Sequence, residues 1–307
     1  MPAKAKFYLN GGGLFTVQGR WWDEQVESLF KELGASVYYP WVESKESELR
    51  AKFPHVESRR RIFLSDRDGV DVSQGVIMLG EGAAGEVSSG TAWEIGYAYA
   101  RRKVILCIRT DFRGSLNPIL TENLSYGDVC GDLEDLRNQA RRAIARIQKS
   151  GVVETSYAPP ARRRRIRKVY LSAPYFSAAE EAYTNDIKRR LSRLGFDVVY
   201  PQGEGKKRDF ASADRSTWRS EFKKRVDGLE ETDAVVALLE GADCGTETSW
   251  DCGFAYSKYK PVFGLRTDFR SCGDLAGPVN LMLEQSLVGA KLCRSTSEIG
   301  QTLRAWH

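Results

Sequence analysis

"SSGTAWEIGYAYARRKVILCIRTDFR", residues 88–113, returns later in the chain as "CGTETSWDCGFAYSKYKPVFGLRTDFR", residues 244–270. The copies keep the same order of small, aromatic and apolar positions, but Glu94 of the first is answered by Asp251 in the second. The flanks repeat as well. "KFYLNGGGLF" (6–15) pairs with "KVYLSAPYFS" (168–177), "LFKELGASVYYP" (29–40) with "LSRLGFDVVYP" (191–201), and "DGVDVSQGVIMLGEG" (68–82) with "DGLEETDAVVALLEG" (227–241). The offset drifts from 162 at Tyr8 and Tyr170 through 159 at Asp68 and Asp227 to 157 at Glu94 and Asp251, as loop insertions and deletions produce. The chain is a tandem duplication.

Each half reads as strand (6–9; 168–172), helix (21–33; 179–194), strand (36–39; 197–200), a polar stretch leading to a helix (57–72; 215–231), strand (75–79; 234–239), helix (91–101; 250–258), strand (103–108; 261–265) and C-terminal helix (132–149; 296–305). The strands are short continuous apolar runs and the helices carry period-3.6 apolar faces, the pattern of parallel strands buried on both sides. The fold class expected is α/β, with two tandem doubly wound parallel-sheet domains of flavodoxin or Rossmann type. Residues 1–150 form the first, 151–165 a linker and 166–307 the second. Ligands in such sheets bind beyond the carboxyl ends of the strands.

The linker region, "SGVVETSYAPPARRRRIRK" (150–168), holds Pro159, Pro160 and the run Arg162, Arg163, Arg164, Arg165, Arg167 and Lys168. That run accounts for the whole excess in the net charge of +5, and the remainder is near neutral. With no interleaved aromatics it reads as a solvated, self-repelling spacer, and no stable nucleic-acid partner is expected. No stretch of about 18 apolar residues and no signal-type leader is present, so a cytoplasmic protein without membrane association is expected. The 6 cysteines form no C-x-x-C pair and read as reduced thiols. With only 2 histidines, any catalysis rests on carboxylates assisted by phenol and amide groups, and no metal site is expected.

In the first half Asp68, Ser88 and Glu94 fall in segments that converge at the crevice, with Tyr8 on the first strand. The second half offers Asp227, Asp243, Asp251 and Tyr170. Placed at the start of a helix, Glu94 suits either a helix cap or a carboxylate kept ionised by the dipole. Gly11, Gly12 and Gly13 suit either a tight turn or a backbone cradle for a phosphate. Trp21, Trp22, Trp41, Trp93 and Trp250 suit either packing or stacking on a base.

"YLSAPYFS", "VDGLEETDAVVALLEG", "SGTAWEIGYA", "RTDFR" and "GPVNLMLEQS", in this order across most of each half, resemble the nucleoside 2-deoxyribosyltransferase family, which includes nucleoside 5′-monophosphate N-glycosidases and cytidylate hydrolases. The resemblance implies cleavage or transfer at an N-glycosidic bond through a glycosyl-carboxylate intermediate. Glu94 is then the nucleophile, Asp68 the acid that assists the leaving base, Ser88 a sugar-hydroxyl ligand and Tyr8 the group that orients Glu94. It also implies a nucleoside or nucleotide substrate, an acceptor nucleobase in the transfer reaction, and no cofactor. Because the family builds each site from two subunits, the halves are expected to form an intramolecular pseudo-dimer, with Asn280 completing the Glu94 site and Asn117 the Asp251 site. Such pseudo-dimers could assemble further into homo-oligomers. Either asparagine alone also suits a turn or helix cap. Asp251 is shorter by one C–C bond, about 1.5 Å, and displacements of about 1 Å can cost around a hundredfold in rate, so the second site is expected to be weak. Two alternatives stand beside this: a nucleoside 5′-monophosphate N-glycoside hydrolase, and a non-catalytic nucleotide-binding sensor.

Overall fold

A computed structural model describes residues 4–11, 16–40, 55–82, 86–111, 114–150, 155–159, 165–201, 214–270 and 277–306. The chain divides into two compact units, Met1–Ala158 and Pro159–His307. The first contains β1 (Lys6–Asn10), α1 (Val17–Glu32), β2 (Ser36–Tyr38), α2 (His55–Val72), β3 (Gly75–Leu79), α3 (Ser89–Ala100), β4 (Val104–Ile108), α4 (Pro118–Thr121) and α5 (Leu133–Ser150). The second contains β5 (Lys168–Ser172), α6 (Ala178–Arg193), β6 (Asp197–Val199), α7 (Arg215–Glu231), β7 (Ala234–Leu238), α8 (Thr246–Ser257), β8 (Val262–Leu265), α9 (Leu281–Ser286), β9 (Leu287–Cys293) and α10 (Thr296–Arg304).

Both sheets are parallel and share the order β2-β1-β3-β4 and β6-β5-β7-β8-β9, so the two units are doubly wound α/β domains. The registers coincide: Tyr8 stands opposite Tyr38 and Val76, and Tyr170 opposite Val199 and Val235. The second sheet has a fifth strand, β9, where the described residues of the first show an isolated bridge from Ile108 to Cys130.

Strand alternation sorts the side chains of β1 to opposite faces. Phe7 and Leu9 enter a core with Val26, Leu29 and Phe30 of α1 and Leu136, Ala140 and Ile144 of α5. Tyr8 and Asn10 take the other face, towards α3. There Trp93 meets Phe63 edge-on at 5.6 Å and stacks on Tyr97 at 5.2 Å. The second unit repeats this with Trp250, Phe222 at 5.3 Å and Phe254 at 5.2 Å. Both tryptophans are fully buried, so they are packing residues. Part of the segment between the halves lies against the first unit: Thr155 Oγ1 donates to Asp71 Oδ1 at 2.7 Å, and the Tyr157 ring lies under Arg67. Arg162, Arg163 and Arg164 lie outside the described residues, as do Cys272 and Trp41. The remaining cysteines are buried, and no disulfide joins them to one another. No helix among the described residues is long and apolar enough to cross a membrane.

Candidate active site

Ser88 caps α3, its Oγ accepting from Thr91 N at 3.2 Å, and the helix runs buried from Ser89 to Ala98 through the middle of the unit. Glu94 therefore sits in the second turn rather than at the helix start. The dipole argument for an ionised carboxylate does not hold, because no free amide of the first turn reaches that position. Two groups from β1 hold the carboxylate: Tyr8 OH donates to Oε1 at 2.9 Å, and Asn10 Nδ2 donates to Oε2 at 2.6 Å and to Thr91 O at 3.2 Å. Glu94 is 8% exposed. Burial pushes its carboxyl up to about 8, against the lowering effect of the Tyr8 hydrogen bond. The same burial, with the neighbouring Glu94 and Asp66 carboxylates, pushes the Tyr8 phenol well above its usual range.

Asp68 is not part of this cluster. Its side chain is 57% exposed and paired with Arg67 at 2.6 Å. Two residues earlier on α2, Asp66 is buried, and its charge acts on Tyr8. The buried carboxylate of α2 that acts on Tyr8 is thus Asp66, which sequence reasoning passed over in favour of its exposed neighbour.

The second unit departs most at this place. The pairing of Asp68 with Asp227 sets Asp66 against Arg225, an inversion of charge. Arg225 is buried and reaches Asp251 Oδ2 from Nη1 at 2.7 Å and Glu247 Oε2 from Nη2 at 2.5 Å. Ser172, the counterpart of Asn10, donates to Asp251 Oδ2 at 2.6 Å, and Tyr175 OH donates to Glu247 at 3.1 Å. Asp251 is completely buried, which raises its carboxyl pKa despite the guanidinium beside it. Glu247, ahead of the helix read from the sequence over 250–258, lies in the first turn of α8.

The sequence profile of the nucleoside 2-deoxyribosyltransferase family matches residues 7–139 and again 169–282. The chain belongs to the nucleoside 2-deoxyribosyltransferase family. Two solved structures are similar to about half of it. A conserved protein from Enterococcus faecalis V583 is 21% identical over 46% of this chain and 98% of its own, at a TM-score of 0.37. A 2-deoxyribosyltransferase from the psychrotolerant bacterium Bacillus psychrosaccharolyticus is 22% identical over 44% of this chain and 95% of its own, at a TM-score of 0.36. No curated protein matches the chain.

The arginine of the family-like "RTDFR" stretch has a structural task in both units. Arg109 donates to the carbonyls of Gly80, Gly82 and Gly114, the latter two at 3.1 Å, and so fixes the loop between β3 and α3. Arg266 does the same with Leu239, Gly241 and Arg270. The other expected site residues have local partners. Asn117 and Asn280 cap α4 and α9, each Oδ1 accepting a backbone N–H at 2.9 Å, and Asn117 Nδ2 also donates to Glu86 at 3.0 Å. Asp227 is exposed and bound to Lys223. Asp243 is exposed, and the position matching Ser88 is Gly245, which gives α8 no side-chain cap. Tyr170 is buried, with a Coulombic effect on Arg225. A Cβ on Gly11 would stand 2.7 Å from Leu79 Cβ, so close packing on β3 requires glycine there. Gly12 lies outside the described residues.

Proposed function

We propose that the first unit cleaves the N-glycosidic bond of a nucleoside or deoxynucleoside by attack of Glu94 on the anomeric carbon, and passes the sugar to a second nucleobase or to water. A Glu94 oxygen forms the new C–O bond. The C1′–N bond breaks with its electron pair going to the base nitrogen, which takes a proton from the Asp66 carboxyl. Tyr8 and Asn10 hold the two Glu94 oxygens, which preorganises the nucleophile and spreads its charge. The glycosyl-enzyme ester is then opened by the incoming nucleophile, with Asp66 taking up a proton. The observation that carries the reading is the buried carboxylate of Glu94 held by two donors from β1.

In this reading the second unit does not catalyse. Arg225 and Ser172 tie Asp251 Oδ2 into a fully buried ion pair on a shorter side chain, and Arg225 stands where the first unit has Asp66. The duplication thus pairs one reactive unit with one whose polar centre is a closed ion cluster. A 5′-monophosphate substrate is the alternative within the same chemistry. Incubation with panels of nucleosides, deoxynucleosides and their monophosphates, with and without acceptor base, tests the reading by following released base and newly formed nucleoside. Product from the parent chain and none from Glu94→Gln supports it. Equal product from both overturns it.

A further inference from the structure

A further carboxylate on α2 is buried, and the chemistry above does not use it. Asp71 lies in the last turn of that helix, 2% exposed. Its Oδ2 accepts from Tyr97 OH of α3 at 2.9 Å, and its Oδ1 accepts from Thr155 Oγ1 at 2.7 Å. Arg101, just past α3, stands with Nε 3.5 Å from Oδ1 and donates from Nη2 to Tyr97 OH at 3.1 Å. The Asp71 carbonyl accepts from Lys103 Nζ at 2.7 Å and from Thr155 N at 3.2 Å. One residue thus ties α2 to α3 and to the segment that follows α5.

These two helices carry the acid and the nucleophile. Asp66 precedes Asp71 by five residues and Glu94 precedes Tyr97 by three, so about 7.5 Å and about 4.5 Å of helix separate them from the brace. Tyr97 also stacks on Trp93, the neighbour of Glu94, at 5.2 Å.

A buried charge is unfavourable unless it is paired and hydrogen-bonded, and the second unit folds with a different arrangement. At the matched positions stand Glu230, Phe254, Lys258 and Lys260. The lysine bond to the main chain recurs there, from Lys260 Nζ to Glu230 O at 2.8 Å. The carboxylate does not follow it inside: the Glu230 side chain is 54% exposed and pairs with Lys258 at 3.3 Å, and Phe254 has no hydroxyl to offer. Among the described residues, the carboxylate-centred brace occurs in the unit that carries Glu94.

We propose that Asp71 is a positioning residue: with Tyr97, Arg101 and Thr155 it locks α2 against α3 and so fixes the separation between the Asp66 proton and the Glu94 nucleophile. The inference rests on the glycosidic reading of Glu94 and Asp66 given above. Because the brace acts through the two helices and not on the substrate, its loss falls on kcat and leaves KM nearly unchanged.

Steady-state kinetics of the full chain on the nucleoside that the parent cleaves fastest, well below the melting midpoint of every variant, test the proposal. Displacements of about 1 Å can cost around a hundredfold, so Tyr97→Phe and Asp71→Asn should each lower kcat about tenfold or more, with KM within about threefold of the parent. Tyr97→Phe installs the residue that the second unit folds with, and so guards against a failure of Asp71→Asn to fold. Since both act through one contact, the double variant should lose little more than the worse single one. Thr155→Val should lose activity and Thr155→Ser, which keeps the hydroxyl, should retain it. A kcat within about twofold of the parent in both Tyr97→Phe and Asp71→Asn, losses that fall on KM, losses that multiply in the double variant, or equal activity of Thr155→Val and Thr155→Ser would overturn the proposal. Glu94→Gln assayed alongside separates the two failures. If it is as active as the parent, the glycosidic reading falls and the brace with it; if it is inactive while the brace variants match the parent, the brace alone falls.

Discussion

Replacing Arg225 by methionine should destabilise the second unit severely. The guanidinium is buried against two carboxylates, Asp251 at 2.7 Å and Glu247 at 2.5 Å, whose side chains are 0% and 11% exposed. Removing one partner of a buried ion pair costs about 3–5 kcal/mol, because the remaining charge is stranded away from water. For a domain of this size each kcal/mol moves Tm by about 2–4 °C, so a drop of roughly 6–20 °C is expected. The loss depends on pH with a definite sign. Burial already raises the Asp251 carboxyl and Arg225 opposes that rise, so without Arg225 the folded pKa climbs further. A native state that holds its proton more tightly than the unfolded chain loses stability as pH rises from the unfolded carboxylate pKa towards the folded one. The variant should therefore be damaged less at pH 5 than at pH 8. Calorimetric or fluorescence melting of parent and Arg225→Met at both pH values checks this, and the triple variant Arg225→Met, Asp251→Leu, Glu247→Met should recover most of the loss. A Tm within about 2 °C of the parent at pH 8 would refute the buried triad.

Other outcomes follow from the first unit. Asn10→Ala removes the 2.6 Å donor to Glu94 and should lower kcat/KM by about ten- to a hundredfold while moving the ascending limb of the pH–rate profile to higher pH. In the parent, kcat/KM should rise with pH through about 8, because the nucleophile acts only as the anion that burial disfavours; a profile flat from pH 6 to 9 would count against this. Asp66→Asn should cost at least a hundredfold in activity and Asp68→Asn less than about threefold, since only the former is buried near Tyr8; the opposite ranking in steady-state assays would return the acid to Asp68. Arg109→Ala should loosen the loop after β3 and lower Tm by several degrees, because it strands three carbonyls, while Arg109→Lys recovers only part; an unchanged Tm would remove the staple.

The duplication made the sheet legible from sequence, because two copies of each buried strand restrict the register that either may take. The misses have local causes. In α1, Thr16 caps at 2.9 Å to Gly19 N, and the glycine hid a first turn that begins at Val17 rather than near residue 21. The seven-residue β9 was not foreseen, since its middle is exposed and Gly289 and Ala290 both take positive φ, which erases the alternation that marks a strand. At the site, Tyr8 and Glu94 could be read, but Asn10 could not be told from a turn residue ahead of the glycines. Asp66 and Asp68 are both acids on one helix, and only packing shows which is buried. The exchange of Asp66 for Arg225 was present in the repeat itself and needed only a comparison of charges at matched positions. The shortened side chain of Asp251 was visible there too, but its meaning lies in the arginine that occupies it.

The central claim is that one carboxylate in the first unit forms a bond to the sugar and its counterpart in the second does not. Rapid acid quench of the chain during turnover of a nucleoside substrate, followed by peptide mass mapping, tests it most directly. The account predicts a sugar ester on the peptide that carries Glu94, absent in Glu94→Gln and undiminished in Asp251→Asn. An ester on the Asp251 peptide, or full turnover by Glu94→Gln, would contradict it.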